Sequence, residues 1–281
     1  SYKDLDIFLT HKHHDHCGLA STFAKKGAKI FMNPEEERHS YDCLYMQMGE
    51  ESQKEQKEVL KSVGISEEWT PKLWKRFMEL NEWMAKQREP WVYEIQKYPY
   101  VALTEGETFS YGDYAFWVIS LRGHTYGQRG LYDAKHRIVF TADQVMEGIT
   151  PIVGTTHANE HLLGLYFQSL SWMKRELGDC LIIPGHGEPI ETVAPVIDQI
   201  VYSYLKKMDQ VKDAVVKDET PKTVWQTTKL VYGIKEIPED GEDFIVMKSM
   251  ISKTFSCLEY LYEQELVQRD YRDGRLYYRK M

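Results

Sequence analysis

The stretch LTHKHHDHCG, residues 9–18, places four histidines and one aspartate within six consecutive positions. It begins where the apolar run LDIFLT (5–10) ends, and that run predicts a short buried strand. A dense group of imidazoles is typical of a metal site, but a solvated loop or a purification tag would contain the same residues. The spacing of these residues and the rest of the chain decide between the alternatives.

Three further predicted strands also end at a residue that can bind a metal ion. The apolar runs FWVISL, RIVFTA and CLIIP lead into His124, Asp143 and His186. In a β-rich fold, residues just past strand ends gather along one edge of the sheets, so these side chains could meet in one pocket. Five imidazoles and two carboxylates suit zinc and other borderline divalent ions. The candidate metal ligands are His11, His13, Asp15, His16, His124, Asp143 and His186.

Composition limits the classes of protein to which the chain can belong. With 281 residues, 42% of them hydrophobic, it fits one large domain or a large and a small one. A net charge of −8 argues against non-specific coating of nucleic acid, although a local basic patch is compatible with it. The four cysteines form no CxxC motif and indicate free thiols. We expect a cytoplasmic protein without a membrane-spanning helix, and a removed leader stays an alternative because the chain begins at Ser1.

Residues 34 to about 97 differ from their surroundings and predict a helical insertion. One helix is predicted near 53–63, and a second follows from an apolar stripe at helical spacing. The stripe must be buried against something, either the outside of the domain, a partner chain or the metal pocket as a lid. In the lid alternative, Trp74 and Trp83 contact the substrate. The residues of the stripe are Leu73, Trp74, Phe77, Met78, Leu80, Trp83 and Met84.

Residues 191–281 predict a second, mostly helical domain that ends in a β-hairpin. Helices are predicted at 195–217, 222–232 and 243–264, and Asp273–Gly274 between two apolar-aromatic runs is the signal of a tight turn. The hairpin has a local excess of three positive charges and interleaved tyrosines that could stack on bases. It is either a structural cap with solvated charges or a surface for RNA. Its basic residues are Arg269, Arg272, Arg275, Arg279 and Lys280.

The four motifs and their order resemble the metallo-β-lactamase-fold hydrolases, over residues 5–33 and 101–190. The resemblance implies an α/β fold with an αββα sandwich, formed by a domain of residues 1–190 that includes the insertion at 34–97. That fold begins with several strands before its first motif, whereas only ten residues precede His11. We therefore expect the N-terminal strands to be missing or trimmed, which would leave an exposed edge strand and would allow a homo-oligomer.

The resemblance also implies the role of each ligand. His11, His13 and His124 would hold one divalent ion, Asp15, His16 and His186 a second, and Asp143 would bridge them; zinc is expected, with iron or manganese as alternatives. His14 would not be a ligand. As catalytic residues, Asp143 would keep the ions together and Asp15 would orient a bridging water and accept its proton. Tyr126 would either bind the substrate's oxyanion or only pack. Ala142 replaces a glycine of many members, and its methyl group should be tolerated if the turn allows a negative φ.

The same family offers two functions. The ligand set is similar to that of the glyoxalase II, lactonase and ribonuclease branches, and the C-terminal region resembles the small winged-helix-like tail of lactamase-like endoribonucleases and glyoxylase-type hydrolases. One function is hydrolysis of a small-molecule ester, most of all a thioester. The alternative is a metal-dependent endoribonuclease that holds RNA with its C-terminal hairpin. The acidic chain favours the small molecule.

A second histidine motif, HANEH at 157–161, spells the inverted zincin pattern H-x-x-E-H. On a helix, His157 and His161 would share a face. No third ligand is evident in the sequence, so we expect these residues at a helix N-terminus or at the rim of a pocket.

Overall fold

The computed structural model describes residues 1–38, 50–86 and 98–281. The chain divides into two compact units. The first comprises Ser1–Ser40, Gln87–Pro151 and Gly164–Val201, and the second comprises Tyr41–Lys86, Ile152–Leu163 and Tyr202–Met281. The domains predicted from the sequence, 1–190 with an insertion at 34–97 and 191–281, stay a prediction.

Among the residues that the structure describes, the first unit begins with a three-stranded parallel sheet in the order β1-β2-β3. Alternate apolar residues of the first two strands pack with the helices that connect them, in a cluster that includes Leu9, Ile30 and Met32. The strand predicted at 5–10 is confirmed. The elements of this part are β1 (Asp6–Leu9), α1 (His14–Cys17), α2 (Ala20–Lys25), β2 (Lys29–Met32), α3 (Pro34–Arg38) and β3 (Val101–Ala102).

A five-stranded mixed sheet completes the first unit. Its first four strands are antiparallel and the last lies parallel to its neighbour. Phe31, Leu103 and Val118 form a buried cluster that joins the two sheets. The mixed sheets and helices confirm the predicted α/β class. The strands are β4 (Thr108–Tyr111), β5 (Tyr114–Ser120), β6 (Arg129–Asp133), β7 (Ile138–Ala142) and β8 (Leu181–Pro184), with α6 (Leu162–Glu176) between the last two.

The strand β1 is at the edge of its sheet, as the sequence predicts. Over the residues that the structure describes, it pairs only with β2.

Two aromatic residues of the larger sheet are partly exposed: Phe140 is 38% exposed and Tyr114 is 43% exposed. The strand register places Phe140 opposite Leu131, which itself lies opposite the buried Val118, so Phe140 and Val118 share one face of the sheet. Part of the apolar face of the larger sheet therefore contacts solvent.

The second unit is mostly helical and ends in a two-stranded hairpin. The predicted turn at Asp273–Gly274 is confirmed, because both residues have positive φ angles, 53° and 77°. Thr223 and Gln226 form a capping box at the start of α8, so the predicted helix begins there. The elements are α4 (Glu50–Ser62), α5 (Pro71–Lys86), α7 (Val193–Val216, which starts in the first unit), α8 (Val224–Tyr232), α9 (Gly241–Glu263), β9 (Gln268–Arg272) and β10 (Arg275–Arg279).

The predicted apolar stripe lies on α5 and is partly buried within the second unit. Leu73 and Phe77 are buried, and the ring of Phe77 contacts Phe244 of α9 edge to face at 5.1 Å. Trp74 is half-buried. The side chains of Trp83 and Met84 lie outside the described residues. At Phe77 the stripe thus packs against α9, which favours the structural alternative for this position.

Two predictions from composition concern cysteines and membranes. Cys17, Cys180 and Cys257 are free and buried, whereas Cys43 lies outside the described residues. Within the described ranges, every helix is too short or too polar to cross a lipid bilayer.

Candidate metal centre

The seven predicted ligands lie at one edge of the first unit, on four separate segments of the chain. His11 and His13 follow β1, and α1 then presents Asp15 and His16. The others follow the ends of β5, β7 and β8 in the larger sheet. Because β5, β7 and β8 run in the same direction, the residues that follow their ends lie at the same edge of the sheet. The side chains form two clusters of potential ligands, which are His11, His13, His124 and Asp143, and Asp15, His16 and His186.

The first cluster is a ring of imidazoles that face one another. His13 Nδ1 lies 3.0 Å from His11 Nε2 and 3.0 Å from His124 Nε2. The other nitrogen of His11, Nδ1, contacts Thr10 Oγ1 at 3.1 Å, which fixes the orientation of that ring. His11 and His124 are buried, and His13 is half-buried. This cluster therefore presents three nitrogen atoms to one point.

The second cluster is more exposed. His16 Nε2 lies 3.2 Å from His186 Nε2, and Asp15 Oδ2 lies 3.1 Å from His186 Nε2. The side chains of Asp15 and His186 are 56% and 45% exposed, against 13% for His16. Solvent therefore reaches the centre from the side of Asp15 and His186.

Asp143 belongs to the first cluster and also contacts the second. Its Oδ2 lies 3.6 Å from Nε2 of His124 and 3.6 Å from Nε2 of His186, and its Oδ1 lies 3.3 Å from Nε2 of His16. Oδ1 is buried, yet among the described residues it accepts no hydrogen bond of good geometry. A buried carboxylate oxygen without a donor is costly, and a bound cation would remove that cost.

The donor set fits divalent metal ions. Ligand atoms that surround a zinc ion tetrahedrally at 2.0–2.1 Å are separated from each other by about 3.3 Å. The imidazole nitrogens within each cluster lie 3.0–3.2 Å apart. The chemistry and the spacing thus agree with two adjacent ions, and ligand sets of imidazole and carboxylate favour the borderline divalent metals.

Electrostatics keep two of the ligands, His11 and Asp143, in the protonation states that metal binding requires. Burial, and then the neighbouring His13 and His124, lower the pKa of His11 well below its usual value. Burial raises the pKa of Asp143, but His16, His124 and His186 outweigh this effect and lower the pKa overall. His16 shows the opposite balance: burial lowers its pKa, but Asp143 and Asp15 raise it overall. A neutral His11 and an ionised Asp143 are both competent ligands.

Tight backbone turns hold these ligands, and one of them differs from expectation. Ala142 has a φ of 48°, so the negative φ that would accommodate its methyl group is not adopted. The chain changes direction at Ala142, where β7 ends, and Gly185 N donates a hydrogen bond to Ala142 O at 2.8 Å. Gly185 itself has no room for a side chain, since a Cβ atom would collide with Asp143 Oδ1 and lie 2.8 Å from His16 Cε1.

A layer of supporting residues is not predicted from the sequence. Tyr166 donates a hydrogen bond from its hydroxyl to Gln144 O at 2.8 Å, beside Asp143. Gln144 Oε1 accepts a hydrogen bond from Gln128 Nε2 at 2.8 Å, and both side chains are buried. Glu36 accepts hydrogen bonds from the loops on either side of it. No spacing rule finds these residues, because their partners are distant in the sequence.

The remaining predicted site residues have less specific surroundings. Tyr126 is half-buried, and the guanidinium group of Arg122 lies 5.4 Å from the centre of its ring. The side chain of His14 lies outside the described residues. Trp74 and Trp83 belong to α5 in the second unit, and their role as substrate contacts stays a prediction.

The second histidine motif does not form a helix that presents both imidazoles. Residues 157–161 are irregular and precede α6, and Asn159 and His161 have positive φ angles of 66° and 58°. Each imidazole has a carboxylate partner of its own: His157 lies 3.7 Å from Glu160, and His161 lies 2.9 Å from Glu263. His157 lies at the rim of a pocket, one of the two predicted positions, since it and Asn159 line a cavity of about 530 Å³ in the second unit. His161 instead directly precedes α6.

Several basic residues of the hairpin are occupied by contacts within the second unit. Arg269 forms an ion pair with Glu259 at 2.5 Å, and their side chains are only 12% and 3% exposed. Arg275 lies over the ring of Trp69 at 3.7 Å. Arg279 pairs with Asp270 at 3.3 Å in a more exposed position. At least Arg269 and Arg275 therefore contribute to the packing of this unit.

Comparisons with known proteins agree with the geometry. Residues 5–216 match the family model described as the metallo-beta-lactamase superfamily. The chain is similar to the structure of a beta-lactamase domain protein from Burkholderia ambifaria, with 19% identity, a TM-score of 0.74, and coverage of 99% of this chain and 75% of that one. It is also similar to a metallo-beta-lactamase family protein from Thermus thermophilus, with 20% identity, a TM-score of 0.70, and coverage of 100% and 81%. A comparison with curated proteins found no match.

Proposed function

Because the chain belongs to the metallo-beta-lactamase superfamily and is therefore a metal-dependent hydrolase, we propose that it acts through two metal ions on a small-molecule thioester. The two ions are proposed to be zinc. The first would be held by His11, His13 and His124, and the second by Asp15, His16 and His186, with Asp143 shared between them.

The observation that carries this proposal is the position of Asp143 between the two clusters. Its two oxygens lie within 3.6 Å of imidazole nitrogens from both. A carboxylate so placed can bind two ions at once and keep them at a working distance. Its lowered pKa keeps it ionised at neutral pH.

Bound divalent ions lower the pKa of water and polarise a carbonyl oxygen, which makes attack on an ester feasible at neutral pH. The protein's own groups then position and move protons. Asp15 is exposed on one side and lies 3.1 Å from His186, so it can orient a water molecule and accept its proton. The buried His11 and His124 exclude solvent from the opposite side.

The choice of a small molecule over RNA is supported by the surroundings of the hairpin. An RNA surface needs arginines that are free to contact phosphates. Arg269 is instead paired with the buried Glu259, and Arg275 is stacked on Trp69. The chain as a whole has a net charge of −8, which opposes the approach of a polyanion.

A test combines metal analysis with a substrate panel. Purified protein reconstituted with zinc should contain two ions per chain and should hydrolyse thioesters faster than lactones, phosphodiesters or RNA. At most one ion per chain after reconstitution would contradict the dinuclear site. Metal-dependent cleavage of RNA with no turnover of esters would replace the thioester proposal with the endoribonuclease alternative.

A further inference from the structure

Glu36 is a buried carboxylate beside the metal centre that is not itself a candidate ligand. It lies on α3 in the first unit and is 2% exposed. Its Oε2 accepts a hydrogen bond from Lys12 N at 2.9 Å, and its Oε1 accepts two, from Gly127 N at 2.6 Å and Thr125 Oγ1 at 2.8 Å. Burial of a carboxylate is costly, and these three bonds offset that cost.

The donors belong to the two loops that provide the imidazoles of the first cluster. Lys12 stands between His11 and His13, and Thr125 follows His124 directly. One carboxylate therefore links the backbone of the first loop to the second, although 111 positions separate His13 from His124. A bridge of this kind fixes the distance between the loops more firmly than either loop could alone.

The close packing around Gly127 leaves the hydrogen-bonded bridge between the two loops no room to shift. Gly127 O accepts a hydrogen bond from Asn33 Nδ2 at 2.6 Å, and Asn33 directly precedes the helix that carries Glu36. A Cβ atom on Gly127 would lie 2.9 Å from Glu36 Oε1 and 2.7 Å from Asn33 Nδ2. The glycine thus allows the carboxylate to approach the backbone closely.

We propose that Glu36 is a positioning residue that holds His11, His13 and His124 at the separation required to bind one metal ion. The proposal rests on the function proposed above, because it takes these three histidines as ligands of one ion. It predicts that Glu36 controls the affinity of this ion and not that of the ion held by Asp15, His16 and His186.

Glu36→Gln is the informative change. Glutamine has nearly the same shape, but its amide nitrogen is a donor and must face either Lys12 N–H or Gly127 N–H, which are donors too. Loss of a supporting hydrogen bond around metal ligands typically weakens metal binding by about 10–100-fold. Asp133→Asn is a matched control: Asp133 is also buried and accepts backbone hydrogen bonds, from Ala115 N and His136 N, but it pairs with Ile138 at the opposite end of β7 from Asp143.

The two ions are separated by making each change in two backgrounds. His186→Ala leaves only the first cluster intact, and His124→Ala leaves only the second. Zinc affinity is measured by competition with a chromophoric chelator, and folding is monitored by circular dichroism. We expect Glu36→Gln to weaken zinc binding by about 10–100-fold in the His186→Ala background and by less than about 3-fold in the His124→Ala background. Asp133→Asn should leave both affinities unchanged.

Other outcomes overturn the proposal. Unchanged affinity in the His186→Ala background would show that the bridge does not position the ligands, and equal losses in both backgrounds would show a general structural effect. If Glu36→Gln does not fold, Thr125→Val is tested in the His186→Ala background, because it removes one of the three donors to Glu36. A zinc affinity equal to that of His186→Ala alone would reject the proposal. A wild-type protein that binds no zinc would instead reject the function on which it rests.

Discussion

Two segments of this chain are rich in histidine, and the imidazoles of the two segments face different partners. At 11–16, His11 Nε2 and His13 Nδ1 lie 3.0 Å apart, and His13 Nδ1 also lies 3.0 Å from Nε2 of a third imidazole, His124. At 157–161, His157 and His161 each face a separate glutamate. Imidazoles that converge on one another are suited to a cation, whereas imidazoles that each face a carboxylate are suited to an ion pair. The direction of the nitrogen atoms, more than the number of histidines, therefore distinguishes a candidate metal site.

The two segments also have different partners. The side chains of the first segment lie close to His124, Asp143 and His186, which follow the ends of three strands of the larger sheet. The second is attached to the hairpin and to α9, since Asn159 Oδ1 accepts a hydrogen bond from Arg269 at 2.8 Å and Asn159 N donates one to Glu259 at 2.8 Å. The segment at 157–161 thus contributes to the stability of the second unit.

The largest expected difference is in activity, between a change at the metal centre, which includes the first segment, and a change at the second segment. Asp143→Asn should reduce hydrolysis by at least about 10³-fold and lower the zinc content, because a neutral amide is a poor bridging ligand. Glu160→Gln, the corresponding change at the second segment, should leave both quantities unchanged. Turnover with zinc-loaded protein and elemental analysis measure the two effects. Equal losses of zinc in the two variants would erase the distinction between the segments.

The next effect concerns stability of the second unit. Arg269→Gln should lower the free energy of unfolding by about 3–5 kcal/mol, because Glu259 is left buried without its cation. Arg279→Gln, which breaks a more exposed pair with Asp270, should cost at most about 0.5 kcal/mol. Denaturant titration measures both. If the two variants were equally stable and both lost affinity for RNA, the hairpin would be an RNA surface after all.

A smaller effect is expected from backbone strain, which is present at Ala142, beside the metal centre, and at His161 in the second segment. Ala142 and His161 have φ angles of 48° and 58°, a region that costs a residue with a side chain about 1 kcal/mol. Ala142→Gly and His161→Gly should remove this cost. We expect Ala142→Gly to raise the free energy of unfolding by about 0.5–1 kcal/mol, and His161→Gly to gain less because it also loses the ion pair with Glu263. Denaturant titration would contradict the strain if it found Ala142→Gly to be destabilised.

The smallest effect is a dependence on pH at His157. Glu160 raises the pKa of His157 above its ordinary value of 6.5, with smaller contributions from Glu55 and Glu58, and burial opposes them. A raised pKa in the folded state means that the stabilisation is complete below pH 6.5 and is lost as the pH rises through the higher folded value. The stability difference between wild type and His157→Gln should therefore be larger at about pH 5.5 than at about pH 8.5. A difference that grows with pH would show that His157 is buried as a neutral group.

Much of the fold follows from local patterns. The apolar runs LDIFLT, FWVISL, RIVFTA and CLIIP predict strands, and β1, β5, β7 and β8 lie there. Asp273–Gly274, between two apolar-aromatic runs, predicts the hairpin. These predictions hold because a strand or a tight turn depends on residues that are neighbours in the sequence.

The failures have a common origin. The positive φ of Ala142 accompanies the hydrogen bond between Ala142 O and Gly185 N. The sequence predicts Arg269 to be a solvated or RNA-binding charge, but it is paired with Glu259 on a different element. In each case the deciding contact joins residues that are not neighbours in the sequence.

The residue types alone establish which side chains can serve as ligands, since the order and chemistry of His11, Asp15, His124, Asp143 and His186 are visible in four strand-end motifs. How these ligands are held depends on contacts that form only in the folded chain. Glu36 joins two loops by hydrogen bonds to backbone N–H groups, and every residue except proline offers such a group. Nothing in the residue types could therefore mark Lys12 and Gly127 as its partners, because the fold alone brings those donors to the carboxylate.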